Sequence, residues 1–350
     1  CPAANRGKIR RSLNYASFMA SATLVGALRM PRPDVVVATS PQLLCAVAGH
    51  LLAKRFGAPL VMEVRDLWPE SLVAVGASRH SAPLVTLLER LACAMYRRAS
   101  HVVTITEAQR AAIVAEGISE AQVSVIPNGV DAAFFEANGA RRTDGKFVVT
   151  YIGTLGMAHR LETLLEAAHR LRDDSGVEFR IVGEGARREA LETRAKELRL
   201  TNVRFAGERP RGEVPRWIGE SDACAVLLRR NEVFLTVVPS KMLEIMAAGR
   251  PIILGVEGEA LALLERARAG IGIAPESAEQ LAAAIRRLRN DAALAAQLGE
   301  NGRAFVRREF RREDLAAKYL ELLERVRKTV ASGEWRVARK SEVRNQKSES

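Results

Sequence analysis

Short apolar runs of strand length recur along this chain, and between them lie segments whose apolar residues repeat at intervals of three and four. From residue 34 onward the runs Asp34–Thr39, Leu60–Arg65, His101–Ile105 and Val123–Ile126 are separated by helical stretches at 43–55, 82–98 and 107–116. A strand that is apolar on both faces needs helices on both faces of its sheet. Crossover helices of this kind join parallel strands, so the pattern restricts the chain to a doubly wound α/β sheet. After residue 146 the alternation starts again, with strands expected at 147–152, 177–182, 203–206, 223–228 and 252–254. A chain of 350 residues exceeds what one core usually organises, and two alternations mean two Rossmann-like domains.

The expected division follows the turn signals. Pro127-Asn128-Gly129-Val130-Asp131 ends the first alternation, and 137–146 is polar and rich in small residues. Residues 1–136 are therefore read as the first domain, 137–146 as a linker, 147–310 as the second domain and 311–330 as a C-terminal helix. Residues 331–350 are polar, charged and aperiodic, the composition of a disordered tail. The chain opens on Cys1 rather than on Met, and is read as lacking a segment that would precede it.

Composition narrows the partners. The net charge of +12 suits an anionic partner, whether phospholipid headgroup, nucleic acid or nucleotide. No aromatic platform or nucleic-acid motif accompanies the basic residues, so nucleic acid is not expected. No run reaches the roughly 18 to 20 apolar residues of a membrane span, and no signal peptide is visible. Cys1, Cys45, Cys93 and Cys224 are isolated in sequence and read as small buried thiols of a reducing cytosol. Residues 7–30 begin with Lys8, Arg10 and Arg11 and continue as a charge-free amphipathic stretch, suited to packing on a sheet or to lying on an anionic membrane surface.

The chemistry concentrates in one segment, Pro239 to Pro251. Ser240 is a candidate N-cap, Gly249 a C-terminal stop, and Pro251 bars continuation. Between them Met242, Leu243, Ile245, Met246 and Ala247 imply a helix buried on nearly every side, and Glu244 in their midst needs a hydrogen-bonding partner. That partner is either a ligand or a neighbouring backbone amide. The entry through Val238 and Ser240, with Lys241 in the first turn, offers unpaired N–H groups, the positive dipole end and a cation, a combination suited to phosphate. Doubly wound sheets bind ligands beyond the carboxyl ends of their strands. The loops there are Thr39-Ser40, Arg65-Asp66-Leu67-Trp68-Pro69-Glu70 and Thr106-Glu107 in the first half, and Gly153-Thr154-Leu155-Gly156 and Gly183-Glu184-Gly185 in the second. Neither glycine pair is a dinucleotide fingerprint.

Taken jointly, Ile126–Asp131, Tyr151-Ile152-Gly153, Ile181–Gly185, and Pro239-Ser240-Lys241 with Glu244, Ala247, Gly249 and Pro251 resemble a GT-B glycosyltransferase of family 4, over about residues 8 to 328. Glu63–Ser71 and the Pro-Ser-Lys helix resemble, more narrowly, bacterial transferases that add N-acetylfucosamine-type sugars in O-antigen and capsule assembly. The resemblance implies two Rossmann-like domains facing a cleft, here without the first βαβ unit and its glycine-rich loop. It implies that Gly183, Glu184 and Gly185 border a nucleoside and that Glu244 accepts hydrogen bonds from ribose hydroxyls. Lys241 and the amides near Val237, Val238 and Ser240 would face a diphosphate. Gly153 and Thr154 would let the backbone approach the phosphates, with His159 or Arg160 at the family's usual basic position.

Two departures stand out. The family's E-x7-E motif has its first Glu where this chain has Thr236. Many relatives carry a His in the loop occupied here by Arg65 and Asp66, leaving Asp66 to orient or deprotonate the acceptor hydroxyl. The implied reaction is retaining transfer of an N-acetylated amino or deoxy sugar from a UDP-sugar to a lipid-linked glycan, with Asp66, Arg65 and Lys241 as catalytic candidates. The place would be the cytoplasmic membrane face, with the protein held there peripherally. No cofactor and no metal are expected, since the nucleotide sugar is a substrate and the chain has no D-x-D pattern. Two alternatives remain on sequence grounds: a UDP-sugar 2-epimerase of the same architecture, and a non-catalytic basic protein that binds membrane or nucleic acid.

Overall fold

The computed structural model of the protein describes residues 8–40, 42–67, 82–137 and 145–331. Trp68 and Glu70, most of the expected linker and the expected tail lie outside the described residues. The chain divides into two compact units, one of residues 1–127 with 316–350 and the other of residues 128–315.

The first unit holds a parallel sheet of order β1-β2-β3-β4, formed by β1 (Val36–Thr39), β2 (Leu60–Val64), β3 (His101–Thr104) and β4 (Val123–Val125). Alternate residues face opposite sides. Leu60, Met62, Val64 and Val102 join one core with Ala46, Ala92, Met95 and Ile113 from the covering helices. Val61 and Val103 face the other way and meet Leu322 and Val326. Those two residues belong to the long helix Arg312–Ala331. An amphipathic helix was expected near the end of the chain, and here it covers the second face of the first sheet.

The second unit holds β5 (Phe147–Ile152), β6 (Val177–Val182), β7 (Val203–Gly207), β8 (Ala223–Leu227), β9 (Ile252–Gly255) and β10 (Gly270–Gly272) in the order β10-β9-β8-β5-β6-β7, all parallel. The chain winds outward from β5 to β7, then returns to β8 and winds the other way. The order therefore reverses between β5 and β8, which makes the carboxyl ends of those two strands the topological switch point. Tyr151, Ala225, Leu227 and Ile253 enter one core, and Ile152, Cys224, Val226, Ile252 and Leu254 the other. This is the both-sides burial that the unbroken apolar runs demanded. Strand β10 carries no strand signal. Gly270 is required there because a Cβ would sit 2.0 Å from the Ile252 carbonyl oxygen.

Pro127-Asn128-Gly129-Val130-Asp131 lies where the chain passes from one unit to the next. Val130 bridges to Arg311, the Val130 N–H donates to the Phe310 carbonyl at 2.8 Å, and Asp131 pairs with Arg312. Gly129 is a glycine for a packing reason, since a Cβ would fall 2.6 Å from the Arg312 Cα. The division between units thus falls at Pro127 and again at Leu315, and the stretch at 137–146 follows the first of these points. Of the cysteines, only Cys224 among the described residues is buried; Cys45 and Cys93 are half-buried, on helices that leave one flank to solvent.

Candidate functional site

The helix expected between a Ser240 cap and a Gly249 stop spans Ser240–Ala247, and it begins one residue earlier than a Ser240 cap would place it. Pro239 holds the cap position in extended geometry, its carbonyl accepting from the Met242 N–H at 2.9 Å, and Ser240 is already helical and exposed. Proline fixes its own φ and precedes the first turn, so the turn needs no side-chain cap to start. At the other end Gly249 adopts φ +67°, as a left-handed stop requires. Met242, Leu243, Ile245, Met246 and Ala247 are buried as expected.

Lys241 reaches the switch point. Its ammonium donates to the Tyr151 phenolic oxygen at 3.1 Å and lies 4.3 Å from the centre of that ring. The phenol in turn donates to the Thr154 carbonyl at 2.8 Å. Gly153, at φ +140°, leaves the room this needs, because a Cβ there would come within 2.6 Å of the lysine nitrogen. His159 meets Tyr151 edge-on at 5.8 Å and approaches the Leu227 carbonyl through Nδ1 at 3.3 Å. Burial, with the Lys241 charge beside it, holds His159 down to about 4, so the ring is neutral at ordinary pH. Burial also lowers Lys241 to about 8, with Glu244 acting in the opposite sense.

The glycine loops are built against each other. A Cβ on Gly183, also at φ +140°, would lie 1.9 Å from the Gly153 oxygen, and one on Gly185 would lie 2.5 Å from the Leu155 oxygen. The Leu155 N–H donates to Glu184 O at 2.8 Å. Glycine at these three places thus lets two strand ends and a lysine pack closely. The Glu184 side chain pairs with Arg188.

Glu244 is 14% exposed, and its Oε1 accepts from Arg211 Nη2 at 2.5 Å. Arg211 also stacks 5.0 Å from the centre of the Phe134 ring. The partner the sequence required for Glu244 is, in this structure, an arginine rather than a backbone amide. Thr236 ends the short turn Glu232–Thr236, its hydroxyl donating to the Val233 carbonyl at 3.3 Å. Gly258 packs against that turn so closely that a Cβ would sit 2.2 Å from the Leu235 oxygen. The Val237 N–H, one of the amides expected to face a phosphate, donates to Phe234 O at 3.3 Å, and Val238 packs against the core. Arg160 stands apart from Lys241. It pairs with Glu276 at 3.5 Å and borders a cavity of about 420 Å³ with Arg187, Arg229 and Glu276.

In the first unit Arg65 and Asp66 follow β2 in a loop held by hydrogen bonds. The Arg65 N–H donates to Ser40 Oγ at 3.0 Å, Ser40 Oγ donates to Asp66 O at 3.3 Å, and Gln109 Nε2 donates to Arg65 O at 3.1 Å. The Gln109 side chain also accepts from the Ile105 N–H at 3.2 Å, and its own N–H donates to the Thr106 hydroxyl. Burial raises the Asp66 carboxyl above its ordinary value, with Arg65 opposing it. Sequence reasoning passed over Gln109, although Thr106-x-x-Gln109 has the spacing of a capping box. It gave Tyr151 no role beyond its place in the Tyr151-Ile152-Gly153 strand turn, and it passed over Arg211. The first reads as one more inward residue of a strand, and the second carries no local signal at all.

Two parallel sheets in tandem, the first wound one way only in the order β1-β2-β3-β4 and the second doubly wound with a lysine and a carboxylate on one helix at its switch point, have the GT-B class of fold. Residues 135–305 match the family described as glycosyl transferases group 1, and residues 1–129 match the glycosyl transferase 4-like domain. The chain has the fold of the GT-B glycosyltransferases, and both family models that match it describe glycosyl transferases. It is 29% identical over 297 residues to the putative colanic acid biosynthesis glycosyl transferase WcaI of Escherichia coli (strain K12), covering 79% of this chain and 72% of that one. It is 26% identical over 255 residues to the probable glycosyltransferase WbjE of Pseudomonas aeruginosa, covering 69% of this chain and 62% of that one. Among solved structures, Anabaena Alr3699/HepE in complex with UDP has a TM-score of 0.71 at 19% identity, over 88% of this chain and 82% of that chain, which shows a shared fold.

Proposed function

We propose that the protein is a family 4 enzyme that transfers a sugar, with retention at the anomeric carbon, from a UDP-sugar to a lipid-linked glycan. The observation that carries this reading is Lys241. It is a cation lowered to about 8 by burial, held at the switch point by neutral groups. A diphosphate leaving group gains negative charge as the glycosidic bond breaks, and a preplaced ammonium stabilises that charge. The first-turn amides of the same helix add their partial charge. Glu244, one turn further on, has a carboxylate for the ribose hydroxyls once Arg211 gives way or shares it. In the first unit Asp66 is the candidate to orient the acceptor hydroxyl, and its raised pKa fits a group that handles a proton. Front-side attack assisted by the leaving phosphate is the retaining route proposed, and no metal is assigned a part in it.

UDP is preferred as the nucleotide because HepE, which shares the fold, was crystallised in complex with UDP. Surface-polysaccharide synthesis is preferred because the name of WcaI refers to colanic acid. The helix Lys8–Arg29 leaves Leu13, Phe18, Leu24, Val25 and Leu28 exposed, a surface we assign to an anionic membrane on its cytoplasmic side.

Isothermal titration with UDP tests the donor site: Lys241→Ala and Glu244→Gln should each weaken binding by about tenfold or more. Unchanged affinity in both folded variants would remove the assignment. Offering a UDP-sugar panel with membrane lipid extract, with mass spectrometry of the lipid fraction, tests the transfer. Conversion of the sugar nucleotide without any acceptor would point to an epimerase instead.

A further inference from the structure

If Lys241 faces a diphosphate, something must keep a long, flexible side chain in one place without neutralising it. A lysine has much rotamer freedom to lose on being fixed, and the usual anchor, a carboxylate, would occupy the charge that the ligand needs. At the end of β5 the anchor is a phenol.

Resting on that donor-site reading, we propose that Tyr151 is the positioning residue for Lys241: its hydroxyl, committed as a donor to the Thr154 carbonyl, turns a lone pair toward the ammonium and fixes it where a diphosphate would bind. The count of protons supports this. A tyrosine hydroxyl has one hydrogen and accepts through its oxygen. The hydrogen goes to Thr154 O at 2.8 Å, and the lysine nitrogen stands 3.1 Å from the oxygen as a donor. The same nitrogen lies 4.3 Å from the ring centre, so the anchor holds it through the lone pair and the ring together. Tyr151 itself is fully buried between the covering helices and cannot swing away. The absent Cβ of Gly153 provides the slot for the nitrogen.

Among the described residues, the groups that touch the ammonium carry no charge, and the Glu244 carboxylate nearby favours its charged form. From β5, Tyr151 is kept neutral, its pKa raised further by burial. From the turn after β5, His159 is neutral above about 4. From the lysine's own helix, Glu244 has one carboxylate oxygen on Arg211. The cation is therefore positioned by neutral atoms and keeps its charge for an anion that reaches it. In the ligand-free protein it loses its proton as pH rises through about 8, and a bound diphosphate, which favours the charged form, raises that value.

The test uses two readouts on the full chain. In the first, the Lys241 side chain is titrated by NMR without ligand, its resonance assigned by loss in Lys241→Ala. Tyr151→Phe removes the acceptor and keeps the ring, and should lower the lysine pKa by about one unit or more. In the second, UDP binding is measured by calorimetry from about pH 6.5 to 9, a window that brackets the lysine titration. Tyr151→Phe should weaken UDP roughly tenfold near neutral pH, the loss expected for one hydrogen bond to a charged group, with the decline at high pH starting earlier. It should have no further effect in the Lys241→Ala background. An unmoved lysine pKa, or an equal loss of affinity with and without Lys241, overturns the positioning role. A lowered lysine pKa in a protein that does not bind UDP upholds the anchor and removes the donor-site reading instead. If Tyr151→Phe does not fold, 3-fluorotyrosine at 151 keeps the shape and weakens the acceptor, and the lysine pKa should fall in the same direction.

Discussion

The strand ends of the two sheets are held by different means. After β5 and β6 the backbone packs on itself, glycine against carbonyl, and a lysine enters the space left by an absent side chain. After β1, β2 and β3 side chains do the joining, with Ser40, Thr106 and Gln109 tying three loops together through their backbones. Glycine contacts tolerate no added atom, whereas a side-chain hydrogen bond can be lost at a bounded cost. The second unit therefore holds a charged site in a rigid frame, and the first unit holds Arg65 and Asp66 on a framework that can be trimmed.

The largest effect should come from adding one carbon to the frame. Gly183→Ala puts a Cβ at 1.9 Å from a carbonyl oxygen on a backbone with φ +140°, and should cost about 4 kcal/mol or more. Urea unfolding would register it, and a loss under about 1 kcal/mol would mean that the glycine packing is looser than described.

Acid comes next, because among the described residues each unit has a histidine that burial keeps neutral. His101, beside Ser124 and facing the Arg325 charge, and His159 are both held to about 4 against an ordinary 6.5. Between those values the unfolded chain binds the proton that the folded one refuses. Stability is therefore full above about pH 6.5 and falls as pH drops toward 4, by up to about 3 kcal/mol for each ring. His101→Gln should remove about half of this acid loss in urea titrations run from about pH 7 to 4.

Gln109→Ala strands the Ile105 N–H and the Arg65 carbonyl and should cost about 2 kcal/mol. UDP affinity should stay unchanged, and a parallel loss would break the division of labour drawn here. The smallest change expected is Arg211→Ala. Its guanidinium is mostly exposed, but its loss leaves the largely buried Glu244 without that partner, so urea unfolding should register a loss of about 1 kcal/mol.

Much of this architecture is legible in the sequence because strands buried on both faces leave unbroken apolar runs. The runs at 147–152 and 177–182 and the helix at 82–98 end where the pattern says they do. Strand β10 is illegible because close approach to Ile252 demands glycine, and glycine carries no strand signal. The amphipathic helix after residue 312 announces a buried face without naming the surface that buries it. In the site, Lys241 and Glu244 could be found from the turn chemistry around them. Tyr151 could not, since a phenol that anchors a lysine and one that fills a core look alike along a strand. Arg211 reaches Glu244 from 33 residues away, a distance at which only the folded chain brings charges together.

The helix that returns to the first sheet also has a consequence for how the protein is made. Val61 and Val103 are synthesised early, and the residues that cover them, Leu322 and Val326, are among the last described. Among the described residues, the helix that covers that face of the sheet is made only after the whole second unit has followed β3. The second unit, contiguous from Asn128 to Leu315, can close first. During synthesis the half that is begun first is thus the half completed last, and its open apolar face is the surface a chaperone would find on the nascent chain.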